Sequence, residues 1–182
     1  VVTVVSSTSL KLDWNDNSSN ETSFKIQRKV AGGNFAAVGS VNQNVKTFTD
    51  TGLQPDTAYT YRVFASHGGG DSTPSNEASG TTLPSPPTAP SSLNASALSQ
   101  TEIRLDWTDT SNNETGFKVE RSTDGTNFVP AGMVSMNVLT FTDTGRTANT
   151  TYTYRVKATN AGGDSAPSPT ASATTLPNPP AA

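Results

Sequence analysis

One pattern is written twice in this chain at a constant offset. Leu12-Asp13-Trp14 returns as Leu105-Asp106-Trp107, and 107 − 14 = 93. The same offset relates Thr47-Phe48-Thr49-Asp50-Thr51-Gly52 to Thr140 through Gly145, and Tyr59-Thr60-Tyr61-Arg62-Val63 to Tyr152 through Val156. It still holds at Gly69-Gly70-Asp71-Ser72 and Gly162-Gly163-Asp164-Ser165, so no strand or loop has changed length between the copies. Each copy must therefore fold around its own core, and a chain of 182 residues has room for two such small domains. A catalytic centre normally occupies one place. A chain that duplicates everything it has reads as a string of modules used for spacing, display or binding.

Composition narrows this further. Leu, Ile, Val and Phe fall below roughly a fifth of the chain, the level that warns of disorder. The companion criterion, high net charge, is not met at −3. Recurrent Trp, Tyr and Phe at fixed places also argue for two folded domains with thin cores and Ser/Thr/Asn-rich surfaces. A slightly acidic chain lacks the basic footprint of a nucleic-acid binder. No stretch approaches the roughly 20 apolar residues of a membrane span. With no cysteine there are no disulfides, thiolate metal sites or cysteine nucleophiles. Val1 matches Asn94, and Ala89-Pro90-Ser91-Ser92-Leu93 precedes that point in the second copy, so the first copy is expected to lack its opening residues. The tail Pro177-Asn178-Pro179-Pro180-Ala181 is similar to Pro84-Ser85-Pro86-Pro87-Thr88 and predicts a further domain beyond it.

Apolar residues alternate at period two, the signature of half-buried strands. Leu10, Leu12 and Trp14 share one face, as do Phe24 and Ile26, and Tyr59, Tyr61 and Val63. The second copy keeps the parity in Ile103, Leu105 and Trp107, in Phe117 and Val119, and in Tyr152, Tyr154 and Val156. Turn residues separate the runs, and no window has helical periodicity. The pattern predicts an all-β chain of two consecutive seven-stranded antiparallel sandwiches with Greek-key connections. Module 1 spans 1–83, a Pro-rich linker 84–90, module 2 spans 91–177, and the next linker begins at 178–182. Four prolines in the seven linker residues predict an extended, polyproline II-like strut.

The order of these elements resembles fibronectin type III modules across nearly the whole chain. The features that carry the resemblance are Trp in the second strand, the Gly-Leu-x-Pro-x-Thr-x-Tyr run from Gly52 to Tyr59, then Tyr61-Arg62-Val63 and a Gly-rich loop before Pro74-Ser75. The stretch from Trp14 to Arg28, repeated from Trp107 to Arg121, looks like the version found in exported bacterial proteins. The resemblance places Tyr59 and Tyr152 at a tyrosine corner. In the second copy Leu53 becomes Arg146 and Pro55 becomes Ala148, which predicts a looser corner there. The structural core is expected to hold Trp14, Phe24, Tyr59 and Tyr61, with Trp107, Phe117, Tyr152 and Tyr154 in the second copy. Both tryptophans are expected to be nearly fully buried.

The candidate chemistry is sparse. The loop Asp16-Asn17-Ser18-Ser19-Asn20-Glu21 offers oxygens to a hard cation, but two carboxylates without EF-hand spacing make a weak site. Asp and Asn folding back on backbone N–H groups is the better reading, and no metal or cofactor is expected. Arg28 shares the parity of Phe24 and Ile26, so it needs a partner, for which Glu21 is the candidate, as Glu114 is for Arg121. His67 is replaced by Asn160, which argues against a catalytic base, and no serine sits in a local nucleophile motif. Gly-Gly-Asp stands where adhesive members of the family carry Arg-Gly-Asp, and the arginine is missing. Phe64 is the one aromatic residue without a counterpart, Lys157 taking its place. It is expected to face outward and is the sole candidate for surface binding.

The reading is a non-catalytic tandem module, a spacer or accessory region of a bacterial protein that is secreted or on the cell surface, next to a polysaccharide-degrading enzyme as the resemblance implies. The alternative is an adhesion array binding carbohydrate or protein. Expected partners are neighbouring domains of the same polypeptide, with a polysaccharide or cell-wall surface under the alternative. A monomer is expected, with no nucleic acid and no membrane span. A spacer predicts no exposed aromatic patch shared by both copies, whereas a binder predicts one.

Overall fold

A computed structural model describes residues 1–180, so the last two residues of the expected 178–182 segment lie outside the described residues. The chain divides into two compact units between Ser85 and Pro86. No helix occurs among the described residues. In module 1 the strands are β1 (Val2–Ser6), β2 (Ser9–Asp13), β3 (Ser23–Val30), β4 (Ala36–Asn42), β5 (Thr47–Thr51), β6 (Ala58–His67), β7 (Gly70–Asp71) and β8 (Ala78–Thr81). In module 2 they are β9 (Ser92–Ala97), β10 (Glu102–Thr108), β11 (Gly116–Ser122), β12 (Val129–Ser135), β13 (Thr140–Thr144), β14 (Thr151–Asn160), β15 (Gly163–Asp164) and β16 (Ala171–Thr174).

Each module is a sandwich of two antiparallel sheets. One sheet is β1-β2-β5 and the other β4-β3-β6, with β7 and β8 both on the free edge of β6. The backbone bonds Ser72 N–H to the Ala65 carbonyl (2.9 Å) and Ser75 N–H to the Val63 carbonyl (2.8 Å) continue that edge between them. The two short pieces are thus one interrupted strand, the seventh. The chain changes sheets between β2 and β3, between β4 and β5, and between β5 and β6, which is the Greek-key arrangement. Module 2 repeats the plan in β9 to β16 with matching register: Leu12 faces Phe48 as Leu105 faces Phe141, and Arg28 faces Tyr61 as Arg121 faces Tyr154.

Alternation aims one face of each strand at the other sheet. Leu10, Leu12, Phe24, Ile26, Tyr59, Tyr61 and Val63 are buried in module 1, and Ile103, Leu105, Trp107, Phe117, Val119, Tyr152, Tyr154 and Val156 in module 2. Two glycines make room between the sheets. A Cβ on Gly39 would lie 2.7 Å from ring carbons of Phe48, and one on Gly132 would lie 2.5 Å from Phe141. Glycine at these positions lets the phenylalanine of β5 or β13 press against the β4 or β12 backbone.

Two expectations need correction. Trp107 is buried, at 5% exposure, but Trp14 is only partly buried, although each packs against its own phenylalanine with steeply tilted rings and centroids 5.5–5.6 Å apart. The physical reason is the partner strand. Leu93 faces Trp107 in its ladder, whereas the described β1–β2 ladder ends at the pair Val2–Leu12 and does not reach Trp14. The second corner is also not loosened. The Tyr59 hydroxyl accepts the Gln54 N–H at 3.0 Å, and the Tyr152 hydroxyl accepts the Thr147 N–H at 3.1 Å. This bond uses backbone, so it survives the loss of Leu53 and Pro55. Arg146 takes the place of Leu53 by laying its guanidinium 5.7 Å from the Tyr152 ring and bonding the Thr144 carbonyl.

Candidate functional site

The outward face of β6 carries the one surface candidate of the sequence. Tyr61 and Val63 point inward, so Arg62 and Phe64 point outward by parity. The Arg62 Nε and Nη2 both donate to Gln27 Oε1, at 2.9 and 2.8 Å. Its guanidinium carbon lies 4.1 Å from the centroid of Phe35 and 5.2 Å from that of Phe64. Lys29 Nζ covers Phe35 at 4.4 Å and pairs with Glu77 at 3.0 Å. Phe64 is therefore partly buried, in a strip that runs Phe35–Arg62–Phe64, and is not a free platform.

The strip changes chemistry in module 2. Arg155 still covers Phe128 at 4.2 Å, but Glu120 replaces Gln27 and Lys157 replaces Phe64. Glu120 is paired with Arg155 and with Lys157, the latter at 3.0 Å. An aromatic and amide surface has become an ion-pair network. Burial opposes the Glu120 charge, yet Lys157 and Arg155 outweigh it and hold the carboxyl below its usual range.

The polar loops are bound into their own modules. Asp16 Oδ1 accepts the Ser18 N–H, and Asp109 Oδ1 accepts the Ser111 N–H, both at 2.9 Å. These are Asx turns, which use the carboxylate as a turn clip. Glu21 and Glu114 are buried at 8% and 7% exposure. The backbone N–H of Glu21 itself, then the Ser18 hydroxyl, hold the Glu21 carboxyl below its usual range. His67 Nδ1 accepts the Gly69 N–H at 2.7 Å, and Asn160 Oδ1 accepts the Gly162 N–H at the same distance. The histidine and its replacement thus do one job, tightening the Gly-rich turn. The aspartate of Gly-Gly-Asp is likewise committed. Asp71 accepts Lys25 (2.7 Å) and Ser66 (2.6 Å), and Asp164 accepts Lys118 (2.6 Å) and Thr159 (2.7 Å).

Neither expected Glu–Arg pair forms. Arg28 Nη1 is 2.7 Å from Asp50 Oδ2, and Arg121 Nη1 is 2.8 Å from Asp143 Oδ2. Parity placed the arginines inward correctly but ignored distance along the strand. Glu21 precedes β3 and Arg28 lies near its far end, and at about 3.3 Å per residue the seven steps between them span about 23 Å. Each buried aspartate also accepts a tyrosine hydroxyl, from Tyr61 to Asp50 and from Tyr154 to Asp143, both at 2.8 Å. The arginine and tyrosine come from one sheet and the aspartate from the other, so the cluster ties the sheets together. The reading of the sequence missed Asp50 and Asp143. The available signal was parity: each stands two residues after an inward phenylalanine, in the repeated Thr-Phe-Thr-Asp-Thr-Gly.

The cluster has a pH signature. Burial, then donation to an aspartate, pushes the Tyr61 and Tyr154 hydroxyls well above the ordinary tyrosine value. A folded pKa above the unfolded one stabilises the fold fully below the unfolded value, about 10, and that contribution is lost as pH rises toward the folded value. In a spectrophotometric base titration, Tyr61 and Tyr154 are expected to stay protonated past pH 10 until the modules unfold. Ionisation of all four tyrosines near pH 10 with the fold intact would contradict this.

A family model described as "Fibronectin type III domain" matches residues 1–81 and again 88–174. The chain is 33% identical to Exoglucanase B of Cellulomonas fimi, over 94% of this chain and 16% of that protein. It is also 33% identical to Chitinase A1 of Niallia circulans, over 89% of this chain and 23% of that protein. It thus spans less than a quarter of either relative. Among solved structures, the FN1–FN3 domains of chicken CNTN1 match 97% of this chain and 66% of theirs, with a TM-score of 0.66 at 21% identity, a likeness of fold alone.

Proposed function

The chain belongs to the fibronectin type III family in both of its halves, and from that premise we propose that it is a non-catalytic spacer of a secreted bacterial enzyme that degrades an insoluble polysaccharide. The two bacterial relatives, named as an exoglucanase and a chitinase, support that setting. The observation that carries the reading is which features the duplication retains. Cores, inter-sheet Arg–Asp–Tyr clusters, corner bonds and loop ties recur in both modules. The outward strip at Phe64 does not: it becomes Lys157 and Glu120. A binding array needs its patch in every copy, so this difference favours spacing over adhesion. The neighbours of such a spacer are the other domains of its own polypeptide.

The test is a deletion followed by a replacement, in a secreted hydrolase that carries this chain. Removing the chain is expected to leave kcat/KM on a soluble oligosaccharide unchanged and to slow attack on the insoluble polymer. An unrelated rigid spacer of equal length is expected to restore the rate. Failure of that rescue, together with a Phe64-dependent pull-down of the isolated chain on cellulose or chitin, would establish a binding module instead.

A further inference from the structure

The loop between β2 and β3 places side-chain oxygens at alternate positions, on Asp16, Ser18 and Asn20, and Glu21 closes it. Module 2 repeats them as Asp109, Ser111, Asn113 and Glu114 between β10 and β11. These four residue types are kept while two residues among them change, Asn17 to Thr110 and Ser19 to Asn112. The side chains converge. Asp16 Oδ1 accepts the Ser18 N–H at 2.9 Å, and the Ser111 hydroxyl donates to Asn113 Oδ1 at 3.1 Å. The Glu21 carboxyl meets the Ser18 hydroxyl and the Asp16 side chain, and the Asn44 N–H reaches it from the turn between β4 and β5.

Two carboxylates are few for a hard cation, but the fold adds an acceptor that nothing fills. Glu21 and Glu114 are only 8% and 7% exposed, and Oε2 of each is buried without a hydrogen-bond partner among the described residues. An ionised oxygen left alone is among the costliest groups to bury, and a donor, a proton or a cation removes that cost. The proton is disfavoured in module 1, because the Glu21 N–H and then the Ser18 hydroxyl hold the carboxyl below its usual range. Asp16 beside it supplies a second carboxylate, and a divalent ion balances both. The same atom is orphaned in both modules, so the feature belongs to the loop and not to one copy of it.

We propose that each module binds one calcium ion in this loop, through side-chain oxygens of Asp16, Ser18, Asn20 and Glu21 in the first and of their counterparts in the second. Calcium takes roughly six to eight oxygens in irregular arrangements, so backbone carbonyls and water complete the shell. A full EF-hand loop is absent, yet its first three side-chain ligands also stand two residues apart. Magnesium fits less well, because it demands a near-ideal octahedron. In module 2 the loop also grips the end of the Pro-rich linker. The Thr88 hydroxyl donates to the Thr110 carbonyl at 2.8 Å, and the Thr110 hydroxyl donates to the Ala89 carbonyl at 2.7 Å. An ion held around Thr110 therefore stiffens the place where the linker enters its module.

Calorimetric titration of calcium into the chelator-treated chain tests this. One ion per module is expected, with a Kd of about 10⁻⁴–10⁻³ M, the range of extracellular calcium modules. Glu21→Gln and Glu114→Gln are each expected to remove one site and leave the other. Asp16→Asn keeps the turn bond through its amide oxygen and is expected to weaken the first site at least about tenfold, since it removes one of two ligand charges. At about 10 mM calcium the thermal midpoint is expected to rise by mass action, with a smaller rise in magnesium and none in the Glu21→Gln/Glu114→Gln double variant. Calcium is also expected to slow amide exchange at Thr110, and to leave it unchanged in Glu114→Gln. The proposal is overturned by a calcium titration without heat or midpoint shift, by an equal rise in magnesium, or by sites that survive the glutamine and asparagine changes.

Discussion

Replacing Trp107 by alanine is expected to cost module 2 about 3–5 kcal/mol, the range for emptying a buried aromatic site. The indole is buried against Phe117 and lies under Leu93, so little around it can collapse into the space. A small domain has only about 5–15 kcal/mol in total, so this change removes a large part of module 2's stability. The same change at Trp14 is expected to cost distinctly less, because that ring is only partly buried and gives up less on truncation. Hydrogen exchange resolved by peptide reads the two modules separately. Trp107→Ala should accelerate exchange throughout β10, β11 and β14, and Trp14→Ala should accelerate β2, β3 and β6 by a smaller factor. Equal losses would mean that the segment Pro86–Leu93 contributes nothing to the burial of Trp107.

This asymmetry marks where the sequence stops being legible. Period-two alternation and the 93-residue offset were enough for the strands, their facing residues and the two-module plan. They work because a strand's faces follow from parity alone, whatever the rest of the chain does. They treat paired residues as equivalent, however, and Trp14 and Trp107 are not. What buries Trp107 is Leu93 facing it on the neighbouring strand, and the described β1–β2 ladder stops short of Trp14. The same limit explains the misplaced arginine partners. Parity says that Arg28 points inward, but only the pairing of β2 with β5 brings Asp50 across the sandwich to meet it. Phe64 shows the converse. Its outward face was readable, while the guanidinium of Arg62 and the ring of Phe35 beside it depend on cross-strand neighbours and on the turn that precedes β4.

Asp143→Ala is expected to destabilise module 2 about as much as the tryptophan change, for a different reason. Asp143 is the common acceptor of Arg121, at 2.8–2.9 Å, and of the Tyr154 hydroxyl, with Arg146 at 3.4 Å. Removing it leaves a guanidinium and a hydroxyl between the sheets with no acceptor. Breaking a buried pair from one side typically costs about 3–5 kcal/mol. The lower end is expected here, because 17% of the Arg121 side chain remains open to water, which can reach the orphaned charge. If the cost is the stranded groups and not the attraction itself, removing all of them together should be far milder. The triple variant Asp143→Leu, Arg121→Met, Tyr154→Phe is therefore expected to recover most of the stability lost by Asp143→Ala in denaturant unfolding. It should also abolish the raised tyrosine pKa of module 2, while Tyr61 keeps its proton beyond pH 10 in module 1. A triple variant no more stable than Asp143→Ala would show instead that the ion pair and hydroxyl bond are themselves a net source of stability. The repeated Thr-Phe-Thr-Asp-Thr-Gly would then be retained for strength and not only for holding the two sheets in one register.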